Sequence, residues 1–338
     1  MFYLSGYQGN VYEFTTGIIS IGIFFISGIL IHIIKKQKLD KVIANQFIIQ
    51  LTISEMINNL NSFFIIVFNS IGTKQEKYSE RMRVCYSQMF TGLFSNFYTL
   101  SSSFLIAFRI YDVLYNNSKI FKKPNNVRKA KLFSFYVSVL LSYVIWMIQM
   151  SKFQTYKYSS VFYFKIISCW VGFEMDIVVI ILYILFILAI SFFSIKSIIF
   201  MKQFKERLAE NDEPLYEEED VEGNEDQIKK AKKIQKYLIL FPLITFILFT
   251  MLVIEKLLAL TIKNGTESQK TVIIICYVLY VISSVLRGII FVLVYLFTHD
   301  FFREVFIELI CCSKCKNSNN DNQIDNKSTT SLVPIHEI

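Results

Sequence analysis

The sequence predicts an all-α membrane protein: a seven-transmembrane helix bundle followed by a short amphipathic helix 8 on the cytoplasmic side. Three observations carry this. Of the 338 residues, 54% are hydrophobic and 18% charged, and mean hydropathy is +0.45, too apolar for an ordinary water-soluble domain. Apolar runs of about 18 residues or more, the length a helix needs to cross a bilayer core, recur along the chain. Lys and Arg are also divided unevenly between the segments that connect those runs. Only helices and closed barrels satisfy their backbone in hydrocarbon, and runs this long read as helices.

The first run, at 14–34, follows "MFYLSGYQGNVY", which has neither a basic n-region nor a cleavage site. It is therefore expected to act as its own insertion signal, behind a short outer N-terminus at 1–13. The second run, at 43–71, holds one acid, Glu55. The third, at 84–108, is unusually polar, with Ser87, Gln88, Thr91, Ser95, Asn96, Tyr98, Thr99, Ser101, Ser102 and Ser103. Such residues face a bundle interior or a water-filled cavity, and the small ones also let helices approach closely; both readings stay open. The fourth run is 132–151. The fifth, at 172–195, opens with Glu174 and Asp176. The sixth, at 237–262, contains Pro242, which removes a helix hydrogen bond and is expected to bend it. Glu255 and Lys256 lie near its far end. The seventh, at 271–298, is interrupted by Arg287.

Between the fifth and sixth runs, 206–226 is acidic with Pro and Gly, and is expected to be a mobile loop. "IKKAKKIQK", including Lys232 and Lys233, leads from it into the sixth run as a basic helical extension. It serves either as an anchor or as a contact surface for an acidic or amphipathic partner. After the seventh run, "HDFFREVFIELI" places its apolar residues on one helical face, a helix lying in the membrane interface at 299–312. The tail, 313–338, is expected to be disordered.

Orientation follows from the loops. With the N-terminus outside, the cytoplasmic segments 35–41, 109–131, 196–236 and 299–338 hold 24 Lys and Arg. The outer segments 72–83, 152–168 and 255–270 hold 10. Positive charge stays inside, so the N-terminus is expected outside and the C-terminus in the cytoplasm of a plasma-membrane protein.

Of six cysteines, Cys85 opens the third run and Cys169 precedes the fifth, both on the outer side. A disulfide between them would persist there and pin the loop over the bundle; the alternative is two free thiols. Cys311, Cys312 and Cys315 follow the interfacial helix at lipid level and are candidates for palmitoylation. Zinc is the rival reading, but a fourth ligand is missing. No metal or other cofactor is expected, no enzymatic activity, and no nucleic-acid partner.

These features together resemble a G-protein-coupled receptor. Finer ones resemble the cyclic-AMP-receptor-like family of social amoebae and other protists. "CWVG" at Cys169 and Trp170 is similar to the Cys-Trp pair of that family and of secretin-like receptors. "KYLILFPLITFILF" is similar to the family's Tyr/Phe-Pro-Leu element around Pro242. "LTISEMI" resembles a Leu-x-x-Ser-Asp motif with Glu55 in the acid's place, and Gly288 with Tyr295 matches a Gly…Val-Tyr pattern. The likeness covers about residues 10–315. It implies an extracellular ligand in the outer half of the bundle and a heterotrimeric G protein at the cytoplasmic loops. It also implies an arrestin-like protein and a receptor kinase acting on the tail cluster Ser328, Thr329, Thr330 and Ser331. Switch and coupling residues would be Arg109, Lys232, Lys233, Pro242 and Tyr295. Arg109 is neither preceded by an acid nor followed directly by Tyr, and the seventh run lacks Asn-Pro-x-x-Tyr, so the inner lock of rhodopsin-like receptors does not carry over.

Candidate ligand contacts at the outer mouth are Lys165, Trp170, Glu174, Asp176, Glu255 and Lys256; their mixed charge does not fix the charge of a ligand. A channel or transporter is the alternative function, but the chain shows no internal repeat and no charged pore ring. A retinal protein would need a Lys inside the seventh run, and a metal hydrolase more than His32, His299 and His336.

Arg287 poses the sharpest question, since a lone Arg at mid-membrane costs about 2.5–3.5 kcal/mol on insertion scales. Glu55 is its expected partner. Glu55 lies 14 residues from Lys41, or roughly 21 Å above the cytoplasmic end, and Arg287 lies 12 residues from His299, roughly 18 Å. Asn58, Ser283 and Ser284 are expected to supply the remaining hydrogen bonds. The alternatives are that each charge faces water separately, or that Arg287 holds an anionic ligand group.

The topology predicts a glycan on Asn264, in the outer sequon "NGT", and none on Asn116, in the cytoplasmic "NNS". Glycopeptide mapping of protein from a eukaryotic host checks both. A glycan on Asn116 would invert the topology.

Overall fold

The computed structural model describes residues 6–36, 43–71, 78–116, 119–121, 123–153, 173–210, 239–261 and 287–294. The chain is all-helical there. The helices are α1 (Gly6–Lys36), α2 (Ile43–Ile71), α3 (Tyr78–Asn116), α4 (Pro124–Phe153), α5 (Phe173–Glu210), α6 (Leu240–Thr261) and α7 (287–294).

Among the described residues, three helices are long and apolar enough to cross a membrane: Gly17–Lys36, Pro124–Met150 and Ile177–Gln203. Seven were expected. For α2 and α3 the difference has a physical source. The helices α2 and α3 carry Glu55 and a row of Ser, Thr, Asn and Gln, and these side chains are buried rather than turned outward. Only short apolar lengths of α6 and α7 are described. The outward faces of α1, α4, α5 and α6 are apolar, with Phe25, Phe133, Leu140, Leu185, Leu188, Phe192 and Ile254 exposed. An outside richer in large apolar side chains than the inside is the reverse of a water-soluble bundle and fits a hydrocarbon surround.

The axis is α3, which packs against α2, α4, α5 and α6, while α1 packs on α2 and α5 on α6. Two apolar clusters fill the interior. One joins Ile34, Phe47, Leu51, Ile106, Phe121, Phe241 and Phe291; the other joins Leu93, Phe97, Tyr183, Ile190, Phe249 and Leu252. A polar belt lies between them along the chain, from Ser54 and Glu55 on α2 through Thr99 and Ser101–Ser103 on α3 to Thr245 on α6.

Helix bounds depart from expectation in three places. At 39 residues α3 is about 58 Å long, nearly twice the ~30 Å hydrocarbon core, so it must project beyond the apolar run at 84–108. The helix α5 continues to Glu210, so residues 206–210, expected as the start of a mobile loop, are helical. Pro242 sits in the first turn of α6 rather than within the helix. An N–H there has no intrahelical acceptor in any case, so the proline costs α6 no hydrogen bond in the described part.

Gly288 allows α7 to approach α1 and α2. A Cβ there would stand 2.5 Å from Ile23 Cγ2 and 3.1 Å from Asn59 Nδ2. Ile23 is buried and stiff at χ1, so it has little room to yield. Gly288→Ala is therefore expected to destabilise the protein by about 1–3 kcal/mol, the usual cost of overpacking. Melting curves in detergent check this. Adding Ile23→Ala should make the combined loss smaller than the sum of the two single losses; strict additivity would mean that the two positions do not touch.

Candidate functional site

Arg287 Nε donates to Glu55 Oε2 at 2.9 Å and stands 2.8 Å from Oε1 as an ion pair. The side chains are 3% and 1% exposed. Thr99 Oγ1 donates to Glu55 Oε1 at 3.0 Å and lies 2.9 Å from Ser54 Oγ. A hydroxyl has one proton: Ser54 Oγ gives its own to the Leu51 carbonyl at 2.6 Å, and the carboxylate is the stronger acceptor for that of Thr99. The Arg287 guanidinium carbon lies 5.1 Å from the centroid of the Phe249 ring, a cation–π contact. Phe249 meets Tyr183 edge-on at 5.5 Å, and Tyr183 meets Phe97 at 5.3 Å. The contacts Glu55–Arg287–Phe249–Tyr183–Phe97 thus run through α2, α7, α6, α5 and α3.

Each charge alone would be expensive here. Two unit charges near 3 Å attract by about 5 kcal/mol at an effective dielectric constant of 20, and that attraction offsets a desolvation cost of several kcal/mol per ion only when hydrogen bonding is good. Thr99 and Phe249 improve the balance on the two sides. Arg287 Nη2 remains buried without a hydrogen-bond partner among the described residues, and so does Asn59 Oδ1. Asn59 Nδ2 donates back to the Glu55 carbonyl at 2.8 Å.

The pair is one rung of a polar ladder between α2 and its neighbours. Asn61 Nδ2 donates to the Gln88 carbonyl at 3.5 Å, and Ser95 Oγ to Asn58 Oδ1 at 3.4 Å. Below the pair, Gln50 Nε2 donates to Ser134 Oγ at 2.8 Å, and Ser101 Oγ lies 2.7 Å from Ser134 Oγ and 3.1 Å from Ser138 Oγ. Lys131 Nζ donates to Gln46 Oε1 at 3.3 Å. On α2 the rungs Gln46, Gln50, Ser54, Asn58 and Asn61 recur every three or four residues, so one helix face carries them all. Falling numbers on α2 meet rising numbers on α3, which makes the two helices antiparallel. One turn on from Thr99, Ser103 Oγ lies 2.8 Å from Thr245 Oγ1 and ties α3 to α6.

A second charged centre lies at the far end of α3. Arg109 Nη1 is 3.5 Å from Asp112 Oδ2, an ion pair without hydrogen-bond geometry, since that nitrogen has no hydrogen-bond partner among the described residues. The Asp112 carboxylate accepts the Ile120 N–H at 3.3 Å and the Phe121 N–H at 3.2 Å. Arg109 lies over the Phe121 ring, 5.9 Å from its centroid. Asp112 thereby clips the turn between α3 and α4. Tyr115 Oη donates to the Lys196 carbonyl at 3.1 Å, and Phe108, Tyr111 and Phe193 form a ring cluster that holds α5 beside α3.

Glu55 and Arg287 are thus brought together, with Thr99 and Ser54 around them. Asn58 Oδ1 accepts from Ser95 Oγ; Ser283 and Ser284 lie outside the described residues. Arg109 pairs with Asp112, three residues on, and not with an acid before it. Pro242 is buried at the start of α6. The backbones of Cys85, Glu174, Asp176, Glu255 and Lys256 are helical, with side chains outside the description. Cys169, Lys165, Trp170, Lys232, Lys233, Asn264, Tyr295, Cys311, Cys312 and Cys315 lie wholly outside the described residues. Sequence reasoning missed Phe249 and Asp112 and gave Thr99 no role. The spacing in "RIYD" could have found Asp112, because i and i+3 share a helix face. Nothing in the sequence singles out Phe249 among 33 phenylalanines.

Comparison with protein-family models and with curated proteins finds no match for the chain.

Thr99→Val keeps the shape and removes the hydroxyl that the carboxylate uses. It is expected to cost about 1–3 kcal/mol, the range for a buried charged acceptor that loses a donor. Thr99→Ser keeps the hydroxyl and should retain most of that stability. Thermal unfolding of the two variants decides; equal losses would show that packing of the methyl group, and not the hydrogen bond, matters at this position.

Proposed function

We propose that the chain is a seven-transmembrane receptor of the G-protein-coupled type. It binds an extracellular ligand in the outer half of the bundle and activates a heterotrimeric G protein through its cytoplasmic loops. It lies in the plasma membrane with the N-terminus outside and the C-terminus in the cytoplasm. The observation that carries the reading is the buried Glu55–Arg287 pair, placed where α2 and α7 meet beside the central α3. A signalling bundle needs an element whose cost differs between two packings, and a charge pair that only one packing satisfies supplies it. Support also comes from the basic bias of the presumed cytoplasmic loops and from the motifs around Cys169, Pro242 and Tyr295.

The second reading is a channel or transporter, which would use the polar ladder along α2 as its path. Its rungs, however, are bonded to neighbouring helices, as in Gln50–Ser134 and Ser54–Thr99, so the ladder serves helix association.

Cells expressing the chain with a G-protein dissociation sensor, screened against a ligand library, provide the test. A ligand-dependent signal is expected, and Arg287→Gln should reduce it at least about tenfold if the pair distinguishes two states by 1.4 kcal/mol or more. Ligand-independent ion flux in proteoliposomes, with no G-protein response to any ligand, would replace this reading with the second.

A further inference from the structure

The described end of the bundle near α4 carries a cationic patch, part of the basic bias of segment 109–131. Residues 113–173 contain no Asp or Glu. The preceding acid, Asp112, is fully buried and turned inward onto Arg109 and the Ile120 and Phe121 amides. Lys119, Lys123, Arg128 and Lys129 are exposed around this turn and the first turns of α4. No ion pair joins any of them to an acid among the described residues. The turn that displays them is held firmly: besides the two Asp112 bonds, Asn126 Nδ2 donates to the Ile120 carbonyl at 2.7 Å and Asn126 N to the Lys123 carbonyl at 2.9 Å.

The apolar half of the feature is on the same helix face. Arg128 and Lys129 are followed by Phe133, 70% exposed, and Tyr136, 63% exposed. Lys129, Phe133 and Tyr136 have the spacing of one helix stripe, with axial offsets of about 6 and 11 Å from Lys129 to the two rings, and Arg128 flanks it. The opposite face of α4, with Ser134, Ser138 and Ser142, is buried. Cations at one end of a stripe and aromatic rings along it match a molecule with an anionic head and an acyl tail.

We infer that Lys119, Lys123, Arg128 and Lys129, continued by Phe133 and Tyr136, form a binding site for a multiply phosphorylated phospholipid of the cytoplasmic leaflet. The inference rests on the orientation proposed above. Several clustered cations with no acid paired to them among the described residues favour a head of high charge density over a singly charged one. The exposed stripe is continuous with the surface that faces hydrocarbon, which fits a lipid better than a soluble anion. A lipid held there would touch the turn that Asp112 clips, so its occupancy would act on the Arg109 region.

The test uses the full chain in nanodiscs of phosphatidylcholine alone, with phosphatidylserine, or with a phosphatidylinositol bisphosphate at equal total charge. Melting temperature and lipid retention in native mass spectrometry are read. The bisphosphate should raise the melting temperature more than phosphatidylserine does. Arg128→Gln with Lys129→Gln, and Lys119→Gln with Lys123→Gln, should each weaken retention about tenfold. Stability in phosphatidylcholine alone should be unchanged, because the four side chains are exposed. Lys35→Gln with Lys36→Gln, the same charge change at the end of α1, should retain the lipid. Phe133→Ala with Tyr136→Ala should weaken retention of the lipid but not binding of soluble inositol trisphosphate. Equal effects of the two anionic lipids, or equal losses in the α1 variant, would overturn the site. So would soluble headgroup binding as tightly as the lipid. None of these readouts uses a G protein, so the receptor reading stands or falls separately.

Discussion

An arginine and a glutamate buried together between apolar clusters constrain this helix assembly more than any other contact. Neither can be left alone at low dielectric, so α2 and α7 must bring them within hydrogen-bond distance. The remaining arrangement follows. Thr99 must face the carboxylate, which fixes the rotation of α3. Gly288, next to the arginine, must lack a side chain so that Ile23 and Asn59 can come close. Phe249 must lie over the guanidinium, which sets α6 beside α7. Removing one partner would leave an uncompensated buried charge, so natural variation here is expected to change both residues or neither.

Polar contacts elsewhere are local and weaker, and they divide the labour by depth. Serine and amide rungs hold α2, α3 and α4 in register, where hydrogen bonds replace a hydrophobic drive that lipid surroundings cannot supply. Rings hold α5 to α3 at the Arg109 end. Among the described residues, the hydroxyl pair Ser103 with Thr245 and apolar contacts tie α6 to α3. A helix held by few polar bonds shifts at lower cost than one held by a ladder. On the proposed function, α6 is therefore the element best placed to move, and Phe249 is where such a move would disturb the charge pair.

How much of this could be read in advance varied with the physics involved. Burial depth is set by helix rise, so counting residues from Lys41 and from His299 was enough to place Glu55 opposite Arg287. The other partners depend on helix rotation and on which neighbour wins a hydroxyl, and composition does not encode either. Thr99, one of ten polar residues named in the third run, donates to the carboxylate, while Asn58 Oδ1 accepts from Ser95. Hydropathy located the apolar runs but not the helix ends, because α3 and α5 continue past the apolar stretch in residues that favour helix without favouring lipid. The effect of Pro242 depends on its distance from the helix start, and α6 as described starts two residues before it. The outer-mouth residues Lys165 and Trp170 fall outside the described residues, and their role rests on the sequence.

The central claim is that Glu55 and Arg287 are stable because they face each other. Reversing both charges measures it most directly. Glu55→Arg alone and Arg287→Glu alone each bury two like charges, and each should reduce surface expression and melting temperature severely, by about 3–5 kcal/mol or more in stability. The double reversal restores opposite charges at the same depth. It should be more stable than either single variant and should recover part of the surface expression. A double variant less stable than both single ones would contradict the account.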